Sequence, residues 1–255
     1  MKVSFIGSGN VATHLALACV NNHIEVKDIY SKTYSNADVL AKKCNAIPVQ
    51  NINELSNDID LLILAVSDNA LQNISAEIEH LKCPIVHTSG STSMEVLGSQ
   101  NHTYGVLYPL QTFSANKELS IKSVPFFIES NSDELIELLE EFCEKIGASS
   151  QKITSEQRLN LHIAAVFACN FSNRMYSIAN EILQKHNLDF ELLKPLIKET
   201  ASKIEHISPI DAQTGPALRN DTQTIEKHLA ALTSEKHLFD LYKAISEDII
   251  KSQKN

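Results

Sequence analysis

No apolar run in this 255-residue chain approaches the ~20 residues that a membrane-spanning helix needs. Positive charge is also short: 22 Lys and Arg face 31 Asp and Glu, for a net charge of -9. Nucleic acid and anionic lipid both demand basic surface, so a general binder of either is excluded, although a local basic pocket is not. The cysteines are few and scattered (Cys19, Cys44, Cys83, Cys143, Cys169), odd in number and never in C-x-x-C spacing. That pattern reads as free, mostly buried thiols in a reducing compartment. Neither they nor the histidines fall at metal-ligand spacing, and no metal is expected. The apolar stretch of a secretory leader is missing from the first residues. Internal repeats, low-complexity segments and Pro/Gly/Ser linkers are missing as well. What these absences leave is a globular, cytoplasmic protein with 43% hydrophobic and 21% charged residues, large enough for one large domain or two modest ones.

What is present begins at once, in Lys2–Ala12, KVSFIGSGNVA. Val3, Phe5 and Ile6 read as a buried strand. Gly7, Gly9 and Ala12 then occupy the three small positions of a G-x-G-x-x-G/A turn. Gly7 permits the tight exit from the strand, Gly9 lets the backbone approach a diphosphate, and Ala12 keeps the next helix close to the sheet. That helix starts near Asn10, so the free N–H groups around Ser8, Asn10 and Val11 and the positive end of its dipole face the phosphates. The predicted ligand is a dinucleotide.

The following segments alternate strand and helix. A strand over Glu25–Tyr30 ends at Ser31-Lys32-Thr33. Where NAD is preferred, an Asp or Glu at this tip holds the ribose 2′-hydroxyl. Two hydroxyls and a cation suit a 2′-phosphate instead, so NADP is expected over NAD. Against this stand two alternatives: Ser31 and Thr33 merely cap the next helix, or Asp28 is the acid because the strand ends early. Asp60–Val66 is a continuous apolar run, expected to be a central strand buried on both faces. It delivers Ala65, Val66, Ser67 and Asp68 to the carboxyl edge of the sheet, where ligands bind. Asp68 faces the cofactor there or caps the helix expected over Ala70–His80, capping being the stronger reading. A strand over Pro84–His87 leads into a second small polar turn, with Thr88, Ser89 and Gly90 bordering the nicotinamide end. Strands are expected at Thr103–Leu107 and Pro125–Glu129, with Tyr108–Phe113 as a loop between them. An amphipathic helix over Ser132–Ile146 and a strand over Ser149–Ile153 close an α/β domain, residues 1–154.

From residue 155 to residue 255 only helical periodicity remains, at Ser155–Lys185, Phe190–Ile204, Thr222–Leu232 and Glu235–Lys251, and this half is expected to form a separate helical domain. In its first helix His162 and Asn173 lie within about 20° of one face at ~100° per residue, with Asn170 on the flank. A sparse polar stripe of this kind could orient a substrate beside the nicotinamide, and a histidine titrates in the range for proton transfer. The competing reading is that these side chains hydrogen-bond neighbouring loops. Arg219, in Thr214–Asp221, could clamp a carboxylate or phosphate, but Asp221 offers it a local partner and favours a structural role. The remaining histidines (His14, His23, His80, His102, His186, His206, His228, His237) carry no site by spacing.

Five segments together resemble one family: GSGNVA at Gly7–Ala12, HTSGS at His87–Ser91, YPLQTFS at Tyr108–Ser114, LHIAAVFACNF at Leu161–Phe171, and TGPALRND at Thr214–Asp221. The chain resembles Rossmann-like NADP oxidoreductases with a C-terminal helical domain of unknown function. It is more distantly similar to pyrroline-5-carboxylate reductase and deazaflavin-dependent NADP reductases. The resemblance implies a homodimer built through the helical domain, and an interdomain cleft faced by the last two segments, which raises His162, Asn170 and Arg219 as site candidates. Relatives often carry His-Pro where this chain has Tyr108-Pro109, so a role for that histidine is not transferred. The expected activity is hydride transfer between NADP and a small carbonyl, imine or alcohol, with His162 as proton donor or acceptor and Asn170 and Asn173 orienting the substrate. The alternatives are a non-catalytic sensor of the nicotinamide pool, supported by the lack of a Tyr–Lys pair on that helix, and a protein holding some other nucleotide at the same turn.

Overall fold

A computed structural model describes residues 1–98, 103–114 and 119–252; His102 lies outside them. The chain packs as two compact units, Met1–Met175 and Tyr176–Asn255.

The first unit is built on an eight-stranded sheet in the order β3-β2-β1-β4-β5-β6-β7-β8. The strands are β1 (Lys2–Ile6), β2 (Glu25–Tyr30), β3 (Ile47–Val49), β4 (Leu61–Leu64), β5 (Ile85–His87), β6 (Tyr104–Pro109), β7 (Pro125–Ser130) and β8 (Ser149–Lys152). Pairing is parallel throughout except between β6 and β7. Helices α1 (Asn10–Asn21), α2 (Tyr34–Cys44), α3 (Asp68–Glu77) and α4 (Asp133–Lys145) connect them. In β4 all four residues are fully buried, with Leu61 and Ile63 in one core and Leu62 and Leu64 in the other. A run buried on both faces is what a central parallel strand requires. The first core gathers α1, α2 and α4, whose Leu135, Leu139, Phe142 and Cys143 are buried. The second lies under α3 and the turn at Ile52. Cys19, Cys44, Cys83 and Cys143 are buried as free thiols, and burial pushes the Cys143 thiol up to about 12.

Two elements differ from expectation. β6 runs two residues further, through Tyr108 and Pro109, because they pair with Phe127 and Phe126 of the antiparallel β7. The helix expected over Ser155–Lys185 is not a plain α-helix: α5 (Ser155–Ala165) passes into a π turn, Val166–Phe171, and resumes as α6 (Ser172–Lys185). The Ser172 hydroxyl bonds the Phe167 carbonyl, five residues back, at 3.4 Å. A π turn inserts about one extra residue per turn and rotates the later residues of the helix by ~100°, so the straight-helix alignment of His162 with Asn173 does not hold.

Strand gives way to helix after residue 154, but packing divides the chain inside α6. Ser155 and Arg158 bond Glu129 of β7, and His162 bonds Tyr108 of β6, which keeps α5 with the sheet. A capping box fixes its start: Thr154 accepts from the Gln157 N–H at 3.2 Å, and Gln157 accepts from the Thr154 N–H at 2.9 Å.

The second unit contains α7 (Lys194–Lys203), α8 (Thr222–Ala231) and α9 (Lys236–Ser252). Asp221 caps α8 through the backbone and hydroxyl of Thr224. Those bonds, with the nearby Arg219 charge contributing, hold its carboxyl below the usual range. Arg219 is exposed and acts on this cap electrostatically. Among the described residues, no helix is long and apolar enough to cross a membrane.

Candidate active site

The strand order reverses between β1 and β4, and in such sheets the crevice beyond the strand ends binds ligands. A cavity of about 850 Å³ opens there. Its floor is the glycine turn, Gly7 to Val11; one wall is Tyr30, Ser31 and Lys32, and another is Ala65, Val66 and Ser67. Thr88 borders it, and Gln111 and Phe113 reach it from the segment after β6. Gly7 has φ of +118°, and a Cβ there would stand 2.2 Å from the Ala65 carbonyl oxygen, so only glycine lets β1 and β4 end side by side. A Cβ on Gly9 would meet no protein atom within 4 Å. Its open side belongs to the cavity, at the N-terminus of α1, where a phosphate is favoured.

At the β2 tip the Ser8 hydroxyl donates to Ser31 at 2.8 Å, and Lys32 is exposed without an ion pair among the described residues. Asp28 is not available as a ribose acid. β2 does not end early, and the Asp28 carboxylate is buried within it, accepting from the Ser4 hydroxyl at 3.2 Å and the Ser56 N–H at 2.9 Å. Of the other residues expected at the cofactor, Ala12 is buried in the core, Thr33 precedes α2 without a side-chain capping bond, and Ser89 and Gly90 are buried beside the cavity rather than lining it. Asp68 opens α3, with Ser67 rather than Asp68 at the cap position. Burial opposes its ionisation, yet the hydrogen bond from Ser91, at 2.5 Å, and the nearby hydroxyls of Ser89 and Thr92 win, and its carboxyl titrates below the usual range. The sequence reading missed Ile6, Tyr30, Ile52, Ala70, Asn73, Ile74, Glu77, Gln111 and Phe113. For the α3 residues the signal was present: Ala70, Asn73, Ile74 and Glu77 recur at helical spacing.

Two residues past Thr88, Gly90 presses against a pair of side chains from distant parts of the chain. The Tyr108 hydroxyl and His162 Nδ1 lie 3.0 Å apart, with the rings edge-on at 5.9 Å. A Cβ on Gly90 would sit 2.6 Å from His162 Nδ1 and 2.9 Å from Tyr108 Cε2. Tyr108 is buried, and burial raises its hydroxyl above the ordinary value although the charge of Arg158 opposes this. His162 is half-buried, and its Nε2 has no hydrogen-bond partner among the described residues. Asn170 and Asn173 are both exposed, on the π turn and the helix after it.

Beneath the pair lies Arg158, one helical turn before His162 and only 1% exposed. Its guanidinium donates to the Ser89 carbonyl at 2.9 Å, to Glu129 at 3.1 Å and to the Ser155 hydroxyl at 3.1 Å. It thereby ties α5 to the β5 turn and to β7, and removing one partner of such a buried pair costs about 3–5 kcal/mol. Nothing in the sequence reading singled it out, although its i, i+4 relation to His162 was a usable sign. His87, fully buried, accepts from the Ser89 N–H at 3.1 Å and donates through Nε2 to the Ser93 carbonyl at 3.3 Å. Burial first, then the Arg158 charge, depress it to about 4, so it is neutral.

A reversing parallel sheet, a glycine turn after β1 and a cavity above it define a dinucleotide-binding protein. Residues 2–86 match the family described as "NADP oxidoreductase coenzyme F420-dependent", and residues 124–249 match a domain of unknown function, DUF2520. A solved structure from Bacteroides fragilis, described as a "putative NADP oxidoreductase", is 38% identical over 98% of each chain, with a TM-score of 0.92. The chain belongs to this family of NADP oxidoreductases with a DUF2520 domain. An imine reductase from Myxococcus stipitatus in complex with NADP+ shares the fold at 12% identity, covering 99% of this chain and 95% of that one, with a TM-score of 0.68. So does a 1-pyrroline-5-carboxylate reductase from Streptococcus pyogenes, at 15% identity over 98% of each chain and a TM-score of 0.66. No curated protein matches the chain.

Proposed function

We propose that the protein transfers a hydride between NADP and a small carbonyl, imine or alcohol, with the Tyr108–His162 pair managing the accompanying proton. The observation that carries this reading is the pair itself, packed on Gly90 two residues beyond the cavity-lining Thr88. The cavity residues fit the cofactor: the glycine turn and α1 hold the diphosphate, and Ser31 and Lys32 take the 2′-phosphate, with Asp28 committed elsewhere. NADP, when bound, supplies or accepts the hydride.

The side chains do the rest. Tyr108 keeps its proton at neutral pH because its hydroxyl titrates high, so it donates to His162 Nδ1. That bond leaves the ring proton on Nε2, the nitrogen without a protein partner. In reduction His162 would deliver this proton to the substrate oxygen or nitrogen while its Nδ1 takes the Tyr108 proton, so that the negative charge comes to rest on the Tyr108 oxygen and not on the ring, and in oxidation both protons return. The buried Arg158 charge steadies the turn through the Ser89 carbonyl and favours electron-rich states of Tyr108. Asn170 and Asn173, exposed on the π turn and α6, are proposed to orient the substrate. Because two fold neighbours are described as an imine reductase and a 1-pyrroline-5-carboxylate reductase, small imines are the first substrates to try. The protein is further proposed to act as a homodimer through its helical part, supported by a row of large apolar side chains left exposed there.

The test pairs calorimetry of NADPH binding with NADPH oxidation over a panel of small imines and ketones. Wild type should bind NADPH and oxidise it with at least one member. His162→Ala should lower kcat by about 10²-fold, the usual worth of a positioned proton donor, with NADPH affinity kept. Unchanged turnover in His162→Ala removes the proton role. Binding with no hydride exchange into any substrate favours the sensor reading.

A further inference from the structure

The segment after β6 is fastened to the helix that begins at the glycine turn. Asn10 Nδ2 donates to the Phe113 carbonyl at 3.0 Å, and His14 Nε2 donates to the Ser114 carbonyl at 3.1 Å. The His14 and Phe113 rings pack with centroids 5.2 Å apart and a tilt of 42°. Asn10 and His14 are four residues apart and so share one face of α1. Gln111 and Phe113 in the fastened segment line the same cavity as Gly7–Val11, whereas His14 is half-buried and does not line it.

We propose that His14 is a cofactor-retaining residue, one that holds Phe113 and Ser114 against α1 so that the segment stays across the diphosphate. Its action is indirect, through the Ser114 carbonyl and the Phe113 ring, and it sets how fast the dinucleotide leaves rather than which dinucleotide is chosen. The proposal rests on the NADP reading of the cavity. It separates retention from selection along the cofactor's length: His14 acts at the diphosphate, shared by NADPH and NADH, while Lys32 acts at the 2′-phosphate, which NADH lacks.

The experiment is stopped-flow displacement: protein loaded with NADPH or NADH is mixed with excess NADP+, and the decay of reduced-nicotinamide fluorescence gives the dissociation rate. His14→Ala should speed release of both cofactors alike, by about fivefold, the worth of one hydrogen bond. His14→Gln should restore the wild-type rate, because its amide N–H reaches the same carbonyl; a merely structural role would not be rescued in the rate. Lys32→Ala should speed NADPH release alone. If His14→Ala fails to fold, His14→Phe, which keeps a ring against Phe113 but loses the bond to the Ser114 carbonyl, decides in its place by the same acceleration. Unchanged release in these variants, or no rescue by Gln, overturns the proposal while leaving NADP binding intact. Wild-type protein that binds no NADPH overturns the cofactor reading and this proposal with it.

Discussion

At Gly90 the missing Cβ makes room for His162, whose Nδ1 a side chain there would meet at 2.6 Å. Alanine at this position must displace either the His162 ring or the Tyr108 ring, and both are held by packing and by their mutual 3.0 Å hydrogen bond. Gly90→Ala is therefore expected to cut kcat by an amount similar to His162→Ala, roughly 10²-fold, while NADPH affinity stays near wild type because Gly90 does not line the cavity. Overpacking of this size should also cost about 1–3 kcal/mol of stability. Parallel measurement of kcat, NADPH affinity and chemical unfolding separates the three effects. A variant with normal kcat would show that the pair is not needed in its observed geometry. The glycine was legible in the sequence as part of a turn after a strand, but its reason was not: the side chain that demands it arrives from a helix far along the chain. Tyr108 was hidden similarly, since a tyrosine before a proline reads as loop until an antiparallel partner strand is known.

Elements were legible wherever local pattern and burial agreed. β4 announced itself as a continuous apolar run, and α4 as an amphipathic helix with Ser132 capping Leu135. The π turn at Val166–Phe171 was not legible, because its residues keep ordinary helical propensities and only the i→i+5 bonding distinguishes it. The turn after β5 shows how an element end can carry its own pH dependence. His87 closes β5 and holds the turn through the Ser89 N–H and the Ser93 carbonyl as a neutral ring. Its folded-state value, about 4, lies below the ordinary 6.5, so between those values the unfolded chain binds more protons than the folded one. Stability contributed here must then be full above about pH 6.5 and lost as the pH falls toward 4, up to about 3 kcal/mol for the whole shift. Thermal melts from pH 7.5 to 4.5 should fall more steeply for wild type than for His87→Asn, whose Oδ1 can still accept from the Ser89 N–H and which does not titrate. Parallel curves would mean that His87 does not carry the dependence.

The whole molecule poses a question of burial. The first unit encloses two cores, one on each face of its sheet. In the second, Tyr176–Asn255, only Ala217, Leu238 and Ser246 are buried among the described residues. A segment of that length seldom stabilises itself with so little core. Large apolar side chains stand in solvent instead, with Leu192 64% and Leu196 62% exposed in the second unit. Leu159, Ile163, Phe167 and Phe171 recur every four residues from α5 through the π turn, Phe167 at 65% exposed. Isolated exposed leucines are ordinary, but a row of four along α5 and the π turn is the kind of surface that the proposed homodimer would cover. A second copy of the chain is the partner that the family resemblance implies. Light scattering should therefore report twice the 28.3 kDa chain mass, and melting should rise with protein concentration, as it does when folding and assembly are linked. Phe167→Glu places a charge at the centre of the row, and is expected to shift the mass toward one chain and to lower the melting temperature. Because Phe167 contacts Phe171 edge-on at 5.0 Å rather than the cofactor cavity, NADPH binding should survive where the monomer stays folded. Wild-type protein of single-chain mass at micromolar concentration would refute the dimer and leave the exposed row to some other partner.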